Sequence, residues 1–152
     1  MFTGAFRRGL IFLAAILLAD VAPSFAEQRT AIRGYDPVAY FTMEKPMKGD
    51  SAISYVWDGT RYLFANTKHR DMFAADPDRY APQFTGYCTA GLSQGHKVEA
   101  DPENWIISDG KLFVFFSQRG RAAFVKDPAA TKSKAEATWQ RIRREEAPAG
   151  RQ

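Results

Sequence analysis

Two stretches of the chain repeat one alternation of apolar and polar positions. The first runs Trp57-Asp58-Gly59 through Tyr62, Phe64, Asn66, Arg70 and Phe73 to Asp76-Pro77. The second runs Ser108-Asp109-Gly110 through Phe113, Phe115, Ser117, Arg121 and Phe124 to Asp127-Pro128, so counterparts stand 51 residues apart, as from 58 to 109. Asp-Gly between two aromatic-rich runs suits a two-residue hairpin turn, where both central residues need positive φ. Asn66 or Thr67, and Ser117, suit helix N-caps because their side chains accept from a free backbone N–H. Proline then closes each stretch, since the residue before it avoids the α region.

The pattern predicts hairpin arms at 53–57 and 60–65, a helix over 67–75 and one more turn at 77–80. A second hairpin is expected at 104–108 and 111–116, with helices over 117–126 and 129–144, the last burying Trp139 and Ile142. Residues 27–33 read as a leader, 34–41 as a turn opening into a brief helical or extended stretch, and 45–50 as a loop. Residues 82–102 carry glycines but no periodicity, which marks a functional loop or an unrecognised strand. Two copies are too few for a solenoid, which needs about three. The expected architecture is therefore α+β: one compact domain of two hairpin-plus-helix units in a pseudo-repeat, with a C-terminal helix.

The N-terminus changes the picture of where the protein works. Arg7-Arg8, the apolar run from Leu10 to Ala19 and the small-x-small Ser24-Phe25-Ala26 make a signal peptide over 1–26. The apolar run is too short to span a bilayer, which takes about 20 residues. The organisation expected is a cleaved signal at 1–26, a folded domain over 27–145 and a flexible tail at 146–152, in the periplasm or secreted, without a stable membrane anchor. The general secretory route is expected over the twin-arginine route, whose signal the surroundings of Arg7-Arg8 fit poorly. Cleavage would remove Arg7, Arg8 and Asp20, taking the formal charge from +4 to +3. The remaining charges are scattered and of mixed sign, which argues against a nucleic-acid partner.

Cys88 is the single cysteine, so the domain has no internal disulfide. A lone thiol in an oxidising compartment is expected to be either buried or used.

Several segments together carry a family likeness. Gly34-Tyr35-Asp36-Pro37-Val38-Ala39-Tyr40-Phe41, the stretch from Tyr62 to Tyr80, Phe84-Thr85-Gly86-Tyr87-Cys88 and Asp109-Gly110-Lys111-Leu112 resemble the YHS domain family, in particular its small secreted bacterial branch. The resemblance covers roughly residues 31–142. It implies a small metal-associated domain whose metal-binding members carry Asp-Pro-Val-Cys-Gly-Met and then Tyr-x-Phe-Cys-x-x-x-Cys. Here Ala39 and Ala65 stand where cysteines would, Tyr40-Phe41 replaces Gly-Met, and His69 takes the last position. Alanine offers no donor, so the thiolate site is not inherited in that form.

What remains suggests another site. Cys88, His69 and His96 would suit copper or zinc, with Asp36, Met43 or Met47 as further donors. His69 falls in the first turn of its helix, where the positive dipole end favours the neutral, ligating imidazole. Tyr35, Asp36, Tyr40 and Tyr87 are candidates to contact a bound cofactor or small ligand, within an aromatic pocket that would also take Trp57, Tyr62 and Trp105 and hold Cys88 at its edge. Three functional readings compete: an exported binding module holding a metal ion or small ligand for a periplasmic or membrane partner; a non-metal scaffold or protein-interaction domain with a decayed metal site; and a cysteine enzyme with His69 or His96 as base. Phosphate-binding glycine loops, paired catalytic carboxylates and CxxC motifs are absent, so phosphate, sugar and dithiol chemistry receive no support.

Overall fold

The computed structural model describes residues 28–147; the expected signal peptide and most of the tail lie outside them. Each Asp-Gly dipeptide turns a hairpin. Asp58 and Gly59 have φ 46° and 70°, and Asp109 and Gly110 have 52° and 70°, the two-positive geometry of a type I′ turn. The first hairpin pairs β1 (Asp50–Trp57) with β2 (Thr60–Phe64), and the second pairs β3 (Asp101–Ser108) with β4 (Lys111–Phe115). Both are antiparallel, and both bulge at the same place, between Asp50 and Ser54 in one and Asp101 and Trp105 in the other.

The helix after each hairpin is capped as the sequence indicates. Asn66 accepts from the His69 N–H to open α2 (Thr67–Ala75), and Ser117 accepts from Gly120 N–H to open α5 (Gln118–Lys126). Asp76 caps α3 (Pro77–Tyr80), and its counterpart Asp127 caps the long α6 (Pro128–Glu146), each with proline in the first turn. Among the described residues no helix is long and apolar enough to cross a membrane.

The repeat extends further toward the N-terminus than the sequence pattern indicates. Ahead of the first hairpin lie a left-handed turn at Ala31–Gly34 and the short helix α1 (Ala39–Thr42). Ahead of the second lie a matching turn at Gln83–Gly86 and α4 (Thr89–Ser93). Ile32, Arg33 and Gly34 have φ 45°, 50° and 80°, and Phe84, Thr85 and Gly86 have 56°, 51° and 86°. Such a run is costly for β-branched Ile32 and Thr85. Burial holds it in place: the two turns pack together at the middle of the molecule, and a Cβ on Gly86 would sit 3.3 Å from the Ile32 backbone nitrogen. Single bridges repeat too, Thr30 to Arg61 and Pro82 to Leu112, then Tyr35 to Lys48 and Tyr87 to Glu99.

Two expectations are thereby corrected. Ala31, Ile32 and Gly34 are core and no leader, the first two fully buried, while Arg33 between them is exposed. Residues 82–102 are no free loop: up to Ala100 they form the opening half of the second copy, and Asp101 and Pro102 already belong to β3, which starts earlier than the pattern predicts. The core is aromatic and doubled. Phe73 on α2 lies 4.7 Å from Tyr62 and 5.2 Å from Phe64, while Phe124 on α5 lies 5.1 Å from Phe113 and 5.2 Å from Phe115.

Candidate functional site

Equivalent positions in the two halves hold different chemistry. In the first half, Asp36 sits just before α1 and is fully buried. Its carboxylate accepts from Val38 N–H at 2.9 Å, Ala39 N–H at 3.3 Å, Ala65 N–H at 2.9 Å and His69 Nδ1 at 2.6 Å. The other ring nitrogen of His69, Nε2, lies 3.3 Å from Thr42 Oγ1. The cluster therefore clasps α1, the end of β2 and the first turn of α2. In the second half, Cys88 replaces Asp36 and Gly120 replaces His69. Cys88 Sγ accepts from Gly91 N–H at 3.2 Å and Phe116 N–H at 3.1 Å, the counterparts of Ala39 and Ala65. Helix α5 closes directly on α4 there, since a Cβ on Gly120 would come within 3.2 Å of Ala90 Cβ. One clasp uses a carboxylate and an imidazole; the other uses sulfur alone.

This arrangement separates the residues expected to bind metal. His69 is buried with both ring nitrogens engaged, so neither offers a free lone pair to an ion. Cys88 and His96 do line one recess of about 530 Å³, with Gln94, Phe116 and Arg119, but His69 is not in it. Among the described residues no group of three or more His, Cys, Asp or Glu side chains is placed to hold a metal ion. The expected Cys88–His69–His96 centre is not assembled, because His69 belongs to the other half and is consumed by Asp36. The nucleophile arrangement fares alike. The Cys88 sulfur is hydrogen-bonded to backbone, and no hydrogen bond from a histidine to it is present among the described residues.

Cys88 thus serves structure, and substitution there separates the roles. Cys88→Ser keeps a small acceptor for both N–H groups and should cost about 1 kcal/mol or less, whereas Cys88→Ala leaves both donors unmatched and should cost about 1–3 kcal/mol. Urea unfolding of the two variants measures the difference.

The aromatic candidates also part company. Tyr87 is covered by Arg29, whose guanidinium carbon lies 3.8 Å from the ring centre, and by Lys97 Nζ at 4.8 Å. Arg29 is fixed in turn by Glu99 and the Thr85 carbonyl. Tyr35 is half-buried beside Lys48, Tyr62 is core, and Trp57 lines a separate shallow recess with Trp139. Asp36 is sealed inside. The single pocket expected for Tyr35, Asp36, Tyr40 and Tyr87, with Cys88 at its edge, does not form.

Tyr40 and Trp105 do meet. Their rings make an edge-to-face pair at 5.2 Å, and Tyr40 Oη donates to the Pro102 carbonyl at 3.0 Å, tying α1 to β3. Beside them opens the most capacious recess among those described, about 780 Å³, at the junction of the two halves. Phe41 and Glu44 come from the first half; Glu103, Trp105, Ile106, Ile107, Gln118 and Arg121 come from the second. Arg121 Nε donates to the Trp105 carbonyl, which holds the strand against α5. The sequence named Tyr40 and Trp105 as pocket aromatics; Phe41 and Arg121 stood out there only as motif and repeat positions, and Glu44 and Glu103 carried no signal. They converge only when the copies pack.

Burial, aided by the nearby Glu103 carboxylate, pushes the Tyr40 phenol well above its ordinary range; burial does the same for Tyr62, partly offset by Arg29 and slightly reinforced by the Asp58 carboxylate. Both phenols are held protonated by the fold and ionise more easily once unfolded, near the usual value of about 10. Their stabilising contribution is complete below that pH and is lost as pH rises above it. Of the six tyrosines, Tyr40 and Tyr62 should form phenolate only as the protein unfolds in alkali. A phenolate absorbance titration run beside circular dichroism reads this; ionisation of all six before unfolding would contradict it.

No protein-family model, curated protein or solved structure matches the chain.

Proposed function

We propose that the chain is an exported binding module of YHS type that takes a small organic ligand in the recess between its two halves. The observation that supports this reading most is the composition of that recess. Aromatic and aliphatic walls from Phe41, Trp105 and Ile107 are combined with a few charged groups, the mixture typical of small-ligand sites. Its walls stand on a strand and a helix tied by the Tyr40 and Arg121 hydrogen bonds, so the site is preorganised. A periplasmic or membrane partner would then receive or sense the ligand.

A cocktail of small aromatic and aliphatic amphiphiles, added to isotopically labelled protein, tests the reading by nuclear magnetic resonance. Amide shifts should cluster at residues 40–44, 103–107 and 118–121. Shifts confined to the Cys88 recess, or none at all, would reject it.

The second reading, a scaffold or protein-interaction domain whose metal site has decayed, is favoured by a separate observation. The places where the family's cysteines would stand are structurally engaged: Ala39 is fully buried, and both it and Ala65 donate backbone N–H to Asp36. Copper or zinc binding is the weaker form of the ligand-holding account, with Cys88 and His96, which line one recess, as its candidate donors. Unchanged melting in either metal would remove it.

A further inference from the structure

We infer that the ligand of the inter-half recess is an organic cation, an alkyl- or arylammonium group; this deepens the binding-module reading and rests on it. Three features converge. Glu44 and Glu103 both line the recess, and among the described residues neither carboxylate forms an ion pair, whereas Glu99, Glu145 and Glu146 do; Glu136, the other unpaired glutamate, accepts from Gln140 outside the recess. Glu103 lies close enough to Tyr40 for its charge to bear on the phenol, which places negative potential at the aromatic end of the recess. The wall beside them includes the half-buried rings of Trp105 and Phe41, whose faces attract cations.

Arg121 is the one cation in the lining, and it is spoken for in part, its Nε donating to the Trp105 carbonyl. Two carboxylates against one guanidinium leave the lining with net negative charge. An ammonium carrying apolar substituents satisfies both parts of such a site. Its charge faces carboxylates and ring faces, and its carbon groups displace water from Ile106, Ile107 and Phe41. An inorganic cation would gain nothing from the apolar walls, and an anion would meet both glutamates.

The test is calorimetric titration of the full mature chain with choline and with its uncharged isostere, in which a tert-butyl group replaces the trimethylammonium. Choline should bind about fivefold or more tightly than the isostere, the scale of a partly exposed cation–aromatic contact. That preference should vanish in Glu44→Gln/Glu103→Gln, two exposed positions, and shrink as salt is raised. Arg121→Gln should strengthen choline binding. Equal binding of both compounds would overturn the cation inference while leaving the recess a ligand site. Absence of binding by either would overturn both, and melting curves of the variants separate lost binding from lost fold.

Discussion

Asp36→Ala should cost about 3–5 kcal/mol, the loss expected when one partner of a buried charged cluster is removed. Its carboxylate is fully buried and gathers four N–H donors, from Val38, Ala39, Ala65 and His69. Alanine would strand all four inside the fold, and each buried unmatched donor carries its own desolvation cost. Against a total stability of about 5–15 kcal/mol, that is a large share. His69→Ala should be milder, because it empties the imidazole's place but leaves the three backbone donors satisfied. Urea unfolding of the two variants gives the ordering. If Asp36→Ala melts like the parent, the clasp is not what holds α1 to α2.

Phe73→Ala should cost a similar amount, about 3–5 kcal/mol, as large-to-small changes at buried phenylalanine do. The repeat sharpens this expectation, because Phe124 is its counterpart in the other half. Phe73 meets Tyr62 and Phe64 closely, and also Tyr55 at 6.0 Å and Trp57 at 6.4 Å. Among the described residues Phe124 pairs with two rings, Phe113 and Phe115, and has Lys132 Nζ 5.6 Å from its ring centre. Aromatic pairs contribute about 0.5–1.5 kcal/mol each beyond their burial, so Phe73→Ala should lose more than Phe124→Ala. Equal losses would mean that the outer pairs with Tyr55 and Trp57 contribute nothing.

Much of this architecture was legible before any coordinates. Asp58-Gly59 and Asp109-Gly110 announced their turns because few other residues tolerate two successive positive φ values. Asn66 and Ser117 marked helix starts, and Pro77 and Pro128 marked the ends of the helices before them, through hydrogen-bonding and dihedral rules that act locally; that each proline also opens the next helix, α3 or α6, is added by the structure. The opening half of each copy was hidden for a different reason. Its left-handed turns use Ile32, Arg33, Phe84 and Thr85, residue types that do not advertise such geometry. The clasp uses Asp36 in one copy and Cys88 in the other, so the chemistry diverges where the backbone agrees.

The candidate site was less legible still. His69, Cys88 and His96 share ligand chemistry but not location, since His69 had already been taken by Asp36. Glu44 and Glu103 are ordinary surface residues in the sequence, and they acquire meaning only through the packing of α1 against β3.

The most direct test of the ligand site follows the three tryptophan indole N–H signals while choline is added. The account predicts that the Trp105 signal moves in a saturable way while those of Trp57 and Trp139 stay fixed, and that the movement is abolished in Glu44→Gln/Glu103→Gln. Three unmoved signals, or a shift of Trp139 with Trp105 silent, would contradict it.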